Sequence, residues 1–260
     1  MPFHTLKLTF EGDLATITLD RPEKRNAISA EMIAELLAAL DEAEAGPARV
    51  VILTGAGKAF CSGMDLEGLR AIASQSAEQH LDDSRRMAAM FYRIYSFPRP
   101  LITAVNGPAI AGGCGLATLA DFTLAAPEAK FGYTEARIGF IPAIVSVFLR
   151  RQIGDKRARD LLLSARIFDA TEAFSFGLVS EIVPAERLLE SAQELAARLL
   201  TLSPTSLART KRLLVRSQED EIRRDLEAAV HENAAIRSTA DFREGLSAFL
   251  EKRDPQWRGE

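Results

Sequence analysis

The stretch at residues 101–120 constrains the fold most, because a buried strand there leads through a glycine-rich loop into a helix. The apolar run Leu101–Val105 predicts the strand, and the letters NGP that follow it predict a turn. The loop is GGCG at residues 112–115, with apolar residues at helical spacing after it. Unhindered backbone N–H groups at a helix N-terminus collect partial positive charge, so this loop predicts a site for a phosphate or a developing oxyanion.

The composition excludes several classes of protein. The chain has 260 residues, 47% hydrophobic and 26% charged, which is typical of a globular protein with a substantial core. A net charge of −4 gives no reason to expect nucleic acid or a membrane as partner, and no apolar run approaches the ~20 residues of a membrane span. Cys61 and Cys114 cannot form a disulfide scaffold, and the N-terminus lacks the pattern of a signal peptide. We therefore expect a cytoplasmic protein.

Three other motif-like signals fail on spacing. GAGK at residues 55–58 is not a phosphate-binding GxxxxGK[ST] loop, because Ala59 follows the lysine. GGCG is not the GxGxxG of a dinucleotide-binding fold. His4, His80 and His231 are scattered without metal-ligand spacing, so we predict no metal site.

Hydrophobic periodicity predicts an α/β chain with strands mainly in the first half and helices in the second. The predicted strands are residues 6–10, 14–19, 50–54, 101–105, 122–126 and 130–133, with 178–183 a last extended piece. The predicted helices are residues 30–44, 64–69, 81–97, 145–152, 155–163, 170–176, 186–202, 206–217, 219–237 and 242–252. The first two strands read as a hairpin, Ser29 as a helix N-cap, and residues 71–79 as a mobile loop.

Four segments, in order along the chain, resemble signatures of the crotonase superfamily, the enoyl-CoA hydratase/isomerase family. The segments are DRPEKRNAI at 20–28, AFCSGMDL at 59–66, AVNGPAIAGGCGLATLADFTLAAPEAKFGYTEARIGFIP at 104–142 and GLSAFLEKR at 245–253. The resemblance implies a spiral of repeated ββα turns at residues 1–194. It also implies a helical C-terminal extension at 195–260, within one domain, that builds a homotrimer or a hexamer. It further implies an acyl-CoA substrate, with CoA as part of that substrate and no permanently bound cofactor.

The same resemblance assigns roles to individual residues. It places two oxyanion-stabilising N–H donors at Met64 and Gly112, and each lies in a turn beside a glycine. Glu135 matches the position of the family's second catalytic glutamate. A carboxylate among Tyr133 and other apolar neighbours would have a raised pKa, which suits a group that takes up and returns a proton.

The CoA contacts follow from the resemblance too. The expected contacts are Arg21, Lys24, Arg25 and Ala27 in one loop, Lys58 and Phe60 in the next, and Phe249 and Lys252 at the chain end, from this or a neighbouring subunit. The cations suit phosphates and adenine. Asp65 is expected to hold its turn and not to touch the ligand.

Two departures from the family's hydratases bear on the reaction. The hydratases have a second glutamate where this chain has Gly115, so we expect weak hydration and favour a 3-enoyl to 2-enoyl isomerisation. Hydrolysis of a 3-hydroxyacyl-CoA thioester and a non-catalytic CoA-binding scaffold remain alternatives, and Gly115→Glu is expected to gain hydration. The second departure is IPAIVS at 141–146 in place of a glycine-rich turn, which predicts either ordinary helix packing or a reshaped pocket wall.

Overall fold

The computed structural model describes residues 3–72 and 74–259. The strands are β1 (Leu6–Glu11), β2 (Leu14–Leu19), β3 (Val50–Gly55), β4 (Leu101–Val105), β5 (Ala109–Ile110), β6 (Phe122–Ala125), β7 (Lys130–Gly132), β8 (Ile167–Asp169) and β9 (Glu181–Ile182). One sheet has the order β1-β2-β3-β4-β6-β9, antiparallel between β1 and β2 and parallel elsewhere. The expected hairpin is confirmed, and a smaller sheet pairs β5-β7-β8.

Helices alternate with the strands and then dominate the second half of the chain. They are α1 (Ala30–Ala45), α2 (Leu66–Ile72), α3 (Ala77–Ser96), α4 (Gly112–Thr118), α5 (Ala143–Ile153), α6 (Asp155–Ser164), α7 (Ala170–Ser175), α8 (Leu188–Leu200), α9 (Pro204–Arg216), α10 (Glu219–Ala235) and α11 (Ala240–Glu251). Short 3-10 turns lie at Pro22–Lys24, Glu135–Ile138, Ala185–Arg187 and Ile236–Ser238. The architecture is the α/β class that the sequence predicts.

Local signals explain where the long helices begin. The side chain of Ser29 accepts a hydrogen bond from the Met32 N–H, as expected of an N-cap. Ser76 and Gln79 form a reciprocal capping box that starts α3 at Ala77. The loop expected at 71–79 is therefore wrong over much of its length, because α2 continues to Ile72 and the capping box nucleates α3 early; residue 73 lies outside the described residues.

The parallel strands are buried on both faces, which explains their continuous apolar sequences. Val51 and Leu53 of β3 point into a large core that α1, α3 and α5 help to build. Val50 and Ile52 point to the opposite face, where α8 covers them with residues such as Ala192. The expected boundary at residues 194 and 195 thus falls inside a helix that packs on the sheet.

The C-terminal helices also contact the rest of the chain. Helix α10 packs on α3 and α5, and α11 packs on the 3-10 turn Glu135–Ile138. Strand β8 lies in a region that the sequence predicts as nearly all helical, so the prediction is wrong there. Three residues are too few to show the alternation of apolar and polar side chains that marks a strand. None of the helices in residues 3–72 and 74–259 has the length and apolarity to span a membrane.

Candidate active site

A cavity of about 1010 Å³ opens between the spiral turns and the C-terminal helices. Met64, Gly112 and Glu135, which the sequence singles out for catalysis, all line it. They come from three separate parts of the chain: the turn after β3, the start of α4 and the 3-10 turn after β7. The fold therefore brings the predicted proton carrier and both predicted N–H donors to one cavity.

Direct backbone contact holds the two donor turns together. Cys61 pairs with Ala109 as an isolated parallel bridge, and the Ile110 N–H donates to the Cys61 carbonyl oxygen at 2.9 Å. A Cβ on Gly113 would lie only 2.2 Å from that same oxygen. Glycine at 113 is thus required for the two turns to approach this closely.

The backbone geometry leaves both donor N–H groups free. The Ile28 N–H donates to the Gly63 carbonyl oxygen at 2.7 Å, and the Asp65 N–H donates to Ile28 at 2.9 Å, so the bridge skips the Met64 N–H. Gly112 follows Ala111, whose φ of 51° and ψ of −126° are strained for a residue with a side chain. Among the described residues, neither the Met64 nor the Gly112 N–H has a hydrogen-bond acceptor.

Glu135 is a buried carboxylate with little compensation, since its own backbone N–H lowers its pKa but burial outweighs that effect. It is 8% exposed, and its Oε2 has no hydrogen-bond partner in the described part of the chain. Burial raises the pKa of Glu135 from 4.5 to about 7. Its carboxyl group can therefore take up and release a proton near neutral pH, as the sequence leads us to expect.

Asp65 lines the same cavity but is held by other groups. Its carboxylate forms an ion pair with Arg21 at 2.6 Å and accepts the Glu67 N–H at 2.8 Å. Burial alone would raise the pKa of Asp65, but the Glu67 N–H and the Arg21 guanidinium outweigh it, and the pKa lies below its ordinary value. Asp65 thus fixes the turn next to Met64, which agrees with the structural role expected for it.

The expected CoA contacts divide into two groups. Those that line the cavity are Lys24, Arg25, Ala27, Phe249 and Lys252.

The other three are absent from its lining, and the structure assigns two of them, Phe60 and Arg21, to other roles, whereas the contact expected of Lys58 stays a prediction. Phe60 is completely buried in the main core, so its side chain cannot touch a ligand. Arg21 is engaged by Asp65 and donates to the Ala27 carbonyl oxygen at 2.7 Å, which makes it a support of the loop. Lys58 is exposed and lies outside the lining of the cavity.

A residue that the sequence analysis missed ties these two loops together. Asn26 is fully buried and accepts the Arg21 N–H, while its amide nitrogen donates to the Ala56 and Ala59 carbonyl oxygens. Its φ of 54° is the left-handed conformation that asparagine tolerates better than most residues. The available signal in the sequence was an asparagine at a turn, between Arg25 and Ala27.

The space beside Gly115 is filled from two helices. A Cβ on Gly115 would lie 2.6 Å from Val145 Cγ1 and 3.0 Å from Phe91 Cε1. Val145 opens α5 together with Ala143 and Ile144, and all three line the cavity. The segment at 141–146 is therefore both packed helix and cavity wall, and Gly115→Glu alone does not fit without displacing these side chains.

Two further parts of the wall come from helices whose sequences look like ordinary amphipathic helices. Met87 and Phe91 lie on α3, and Asn233 and Arg237 lie at the end of α10 and just after it. Asn233 and Arg237 could not be found from the sequence because their partners on α3, Ser84 and Asp83, lie 149 and 154 residues away in the chain.

Comparison with known proteins places the chain in a well-populated group. A family model described as "Enoyl-CoA hydratase/isomerase" matches residues 9–260. A Thermus thermophilus protein named "Putative enoyl-CoA hydratase" is 44% identical over 95% of this chain and 98% of its own. The Escherichia coli 2,3-dehydroadipyl-CoA hydratase is 34% identical over 94% of each chain. The crystal structure of an enoyl-CoA hydratase/isomerase from Xanthobacter autotrophicus superposes with a TM-score of 0.88 at 32% identity, covering 97% of this chain and 98% of that one.

Proposed function

Because this chain belongs to the enoyl-CoA hydratase/isomerase family, whose members act on acyl-CoA thioesters, we propose that it moves a double bond, converting 3-enoyl-CoA to 2-enoyl-CoA. The observation that carries the proposal is the single buried and unpaired carboxylate, Glu135, in the described lining of the cavity. The other carboxylates of that lining are Glu23, Asp65 and Glu67. Asp65 is held by Arg21, and Glu23 and Glu67 are exposed.

The proposed reaction needs one group that can both remove and return a proton. The Glu135 carboxylate takes a proton from C2, and the electron pair of the C2–H bond spreads over the thioester oxygen and C4 as a dienolate. The same carboxyl group then gives the proton to C4, which leaves the double bond between C2 and C3. A pKa of about 7 suits both steps, because neither protonation state is strongly preferred at neutral pH.

The thioester oxygen carries the negative charge of that intermediate. The free N–H groups of Met64 and Gly112 are the donors we assign to it. Removal of one such donor in other enzymes costs ~2.7–4 kcal/mol of transition-state stabilisation, so the pair supplies a large part of the rate. Docking of the two turns through Cys61 and Ile110 fixes these donors before the substrate arrives.

Hydration of 2-enoyl-CoA is the second candidate, and the hydratase names of the relatives favour it. Holding and activating a water against the double bond is the task of two carboxylates in the hydratases that the sequence resembles. Here Val145 and Phe91 occupy the space beside Gly115 where the second one would begin. We therefore expect hydration to be slow relative to isomerisation.

The wall cations Lys24, Arg25 and Lys252 are our proposed contacts for the phosphates of CoA. Exposed leucines on α9, Leu213 and Leu214, support the proposal of a homotrimer or hexamer, because 70% and 65% of their surfaces face solvent in the single chain. Sedimentation equilibrium tests the assembly, and a monomer at micromolar concentration would contradict it.

Parallel assays on three thioesters test the proposed reaction. Purified protein is given 3-hexenoyl-CoA, 2-hexenoyl-CoA and 3-hydroxyhexanoyl-CoA, and products are quantified by liquid chromatography. We expect isomerisation of the first to exceed hydration of the second at least tenfold, and Glu135→Gln to lower isomerisation about 10³-fold. Faster hydration would favour the second candidate, and release of free CoA would favour a hydrolase. No turnover with intact CoA binding would indicate a scaffold.

A further inference from the structure

Arg237 is a buried cation in the wall of the same cavity. It lies in the 3-10 turn Ile236–Ser238 after α10 and is only 4% exposed. Its guanidinium carbon stands 5.8 Å from the centre of the Phe140 ring, and Phe140 lines the cavity as well. An arginine removed from water at this depth needs a partner for its charge.

The partners that the protein provides are incomplete. The carboxylate of Asp83 is 3.4 Å from one terminal nitrogen of Arg237, and Asn233 Oδ1 is 3.2 Å from the other. Within residues 3–72 and 74–259, the Nε of Arg237 has no acceptor. Asp83 is also shared, because its second oxygen accepts a hydrogen bond from Arg86 at 2.5 Å. One carboxylate thus serves two arginines, and the buried one has the longer contact.

Asn233 offers a second donor next to the arginine. Arginine can only donate, so the oxygen of the Asn233 amide must face Arg237, and Ser84 donates to the same oxygen at 2.8 Å. The amide nitrogen of Asn233 therefore points elsewhere, and it has no hydrogen bond to a described residue. Asn233 lines the cavity and is 6% exposed.

The contact of Asn233 with Ser84 on α3 indicates how far this pair lies from the reacting end. Phe91 contacts the oxyanion turn, since its Cζ lies 3.8 Å from where a Cβ on Gly112 would be. Ser84, which holds Asn233, precedes Phe91 by seven residues, or two helical turns of roughly 10 Å in total. Met87 and Ile144 give the wall an apolar character in addition.

We propose that Arg237 and Asn233 bind a carboxylate at the far end of the acyl chain, so that the preferred substrate is the CoA thioester of a dicarboxylic acid. The planar guanidinium supplies a charge-assisted contact and the Asn233 amide a neutral one. Asp83 balances the charge of Arg237 only in part, because it also contacts Arg86. A ligand carboxylate at this place would balance the rest of the Arg237 charge. This proposal rests on one part of the proposed function, namely that the cavity binds the acyl chain of an acyl-CoA.

Binding of unreactive saturated thioesters tests this without turnover. Titration calorimetry compares hexanoyl-CoA with hexanedioyl-CoA, and octanoyl-CoA with octanedioyl-CoA. We expect the wild-type protein to bind at least one dicarboxylic ligand about tenfold more tightly than its monocarboxylic counterpart. Arg237→Met should lose or reverse that preference, and Arg237→Lys should retain part of it.

Arg86→Met is the matched control, because Arg86 contacts the same Asp83 but is 57% exposed and does not line the cavity. It should keep the preference for the dicarboxylic ligand, although in weaker form, because Asp83 then serves Arg237 alone. Equal wild-type affinities for both ligands of each pair would overturn the proposal, as would an Arg237→Met protein that keeps the preference. Failure to bind any acyl-CoA would instead refute the proposed function, whereas absent isomerase activity with intact discrimination would leave this site standing.

Discussion

Two carboxylates in the wall of one cavity have opposite environments. Asp65 and Glu135 are 3% and 8% exposed, so burial acts on both. Asp65 gains an ion pair with Arg21 and a backbone N–H, and its pKa falls. The Glu135 oxygen Oε2 gains no partner in the described structure, and its pKa rises to about 7.

Pairing and depth of burial together separate a structural carboxylate from a proton-carrying one: Glu135 lies the deeper of the two within the protein and Asp65 is the paired one. A paired carboxylate stays ionised and fixes the chain around it. An unpaired buried carboxylate has a raised pKa, which suits a group that must take up and release a proton near neutral pH.

The first prediction concerns the unpaired member. Glu135→Gln should lower kcat for 3-enoyl-CoA isomerisation by about 10³-fold, because the other carboxylates of the described cavity wall are either exposed or paired. Steady-state kinetics measure the loss, and thermal unfolding should show no decrease in stability. Glu67→Gln is the control, since Glu67 lines the cavity but is exposed and bound to Lys24 at 2.8 Å. Equal losses of kcat in the two variants would show that Glu135 has no special role in proton transfer.

The second prediction concerns the paired member. Asp65→Asn should lower the free energy of unfolding by about 3 kcal/mol, because it leaves the half-buried Arg21 without its counter-charge. Urea denaturation measures this change. Asp20→Asn provides the comparison, since Asp20 pairs with the exposed Lys7 and should cost less than ~1 kcal/mol. An Asp65 variant as stable as the Asp20 variant would show that the buried pair contributes nothing.

The third prediction follows from the opposite pKa shifts. The folded protein holds the Glu135 proton up to pH about 7, whereas the unfolded chain releases it near 4.5, so this group destabilises the fold as pH rises between these values. The shift corresponds to about 3 kcal/mol. Asp65 acts in the other direction: its contribution is present above pH 3.8 and is lost as pH falls through its lowered pKa.

Urea denaturation of wild type and Glu135→Gln from pH 4 to 8 measures the Glu135 effect. The variant should gain stability relative to wild type as pH rises through this window and then level off above pH 7. A constant difference across the whole range would mean that Glu135 has an ordinary pKa.

The fourth prediction adds a second carboxylate beside the first. Gly115→Glu alone should destabilise the protein and gain no hydration, because Val145 occupies the space of its Cβ. Gly115→Glu with Val145→Ala removes the closest contact and should raise 2-enoyl-CoA hydration about tenfold over wild type. Val145→Ala alone serves as the control. Hydration that stays at the wild-type level in a folded double variant would show that the missing carboxylate does not limit the reaction.

The sequence predicted the parts of the molecule that depend on local patterns. Continuous apolar runs located β3 and β4, and Ser29 located the start of α1. The family resemblance, supported by a glycine beside each residue, pointed to Met64 and Gly112. It failed where the outcome depends on distant neighbours.

Three residues illustrate that limit. Arg21 looked like a free cation because its partner lies 44 positions along the chain. Phe60 looked accessible in its turn but closes the core. Arg237 is simply the last residue of the predicted helix 219–237, and only the packing of α10 on α3 buries it beside the cavity.

The most direct test of a single proton carrier is label transfer during one turnover. 3-Hexenoyl-CoA carrying deuterium at C2 is converted in ordinary water, and the early product is examined by NMR. If Glu135 removes the deuteron from C2 and returns the same deuteron to C4, a measurable fraction of the product carries deuterium at C4. Product without any deuterium at C4, formed equally well by Glu135→Gln, would contradict the account.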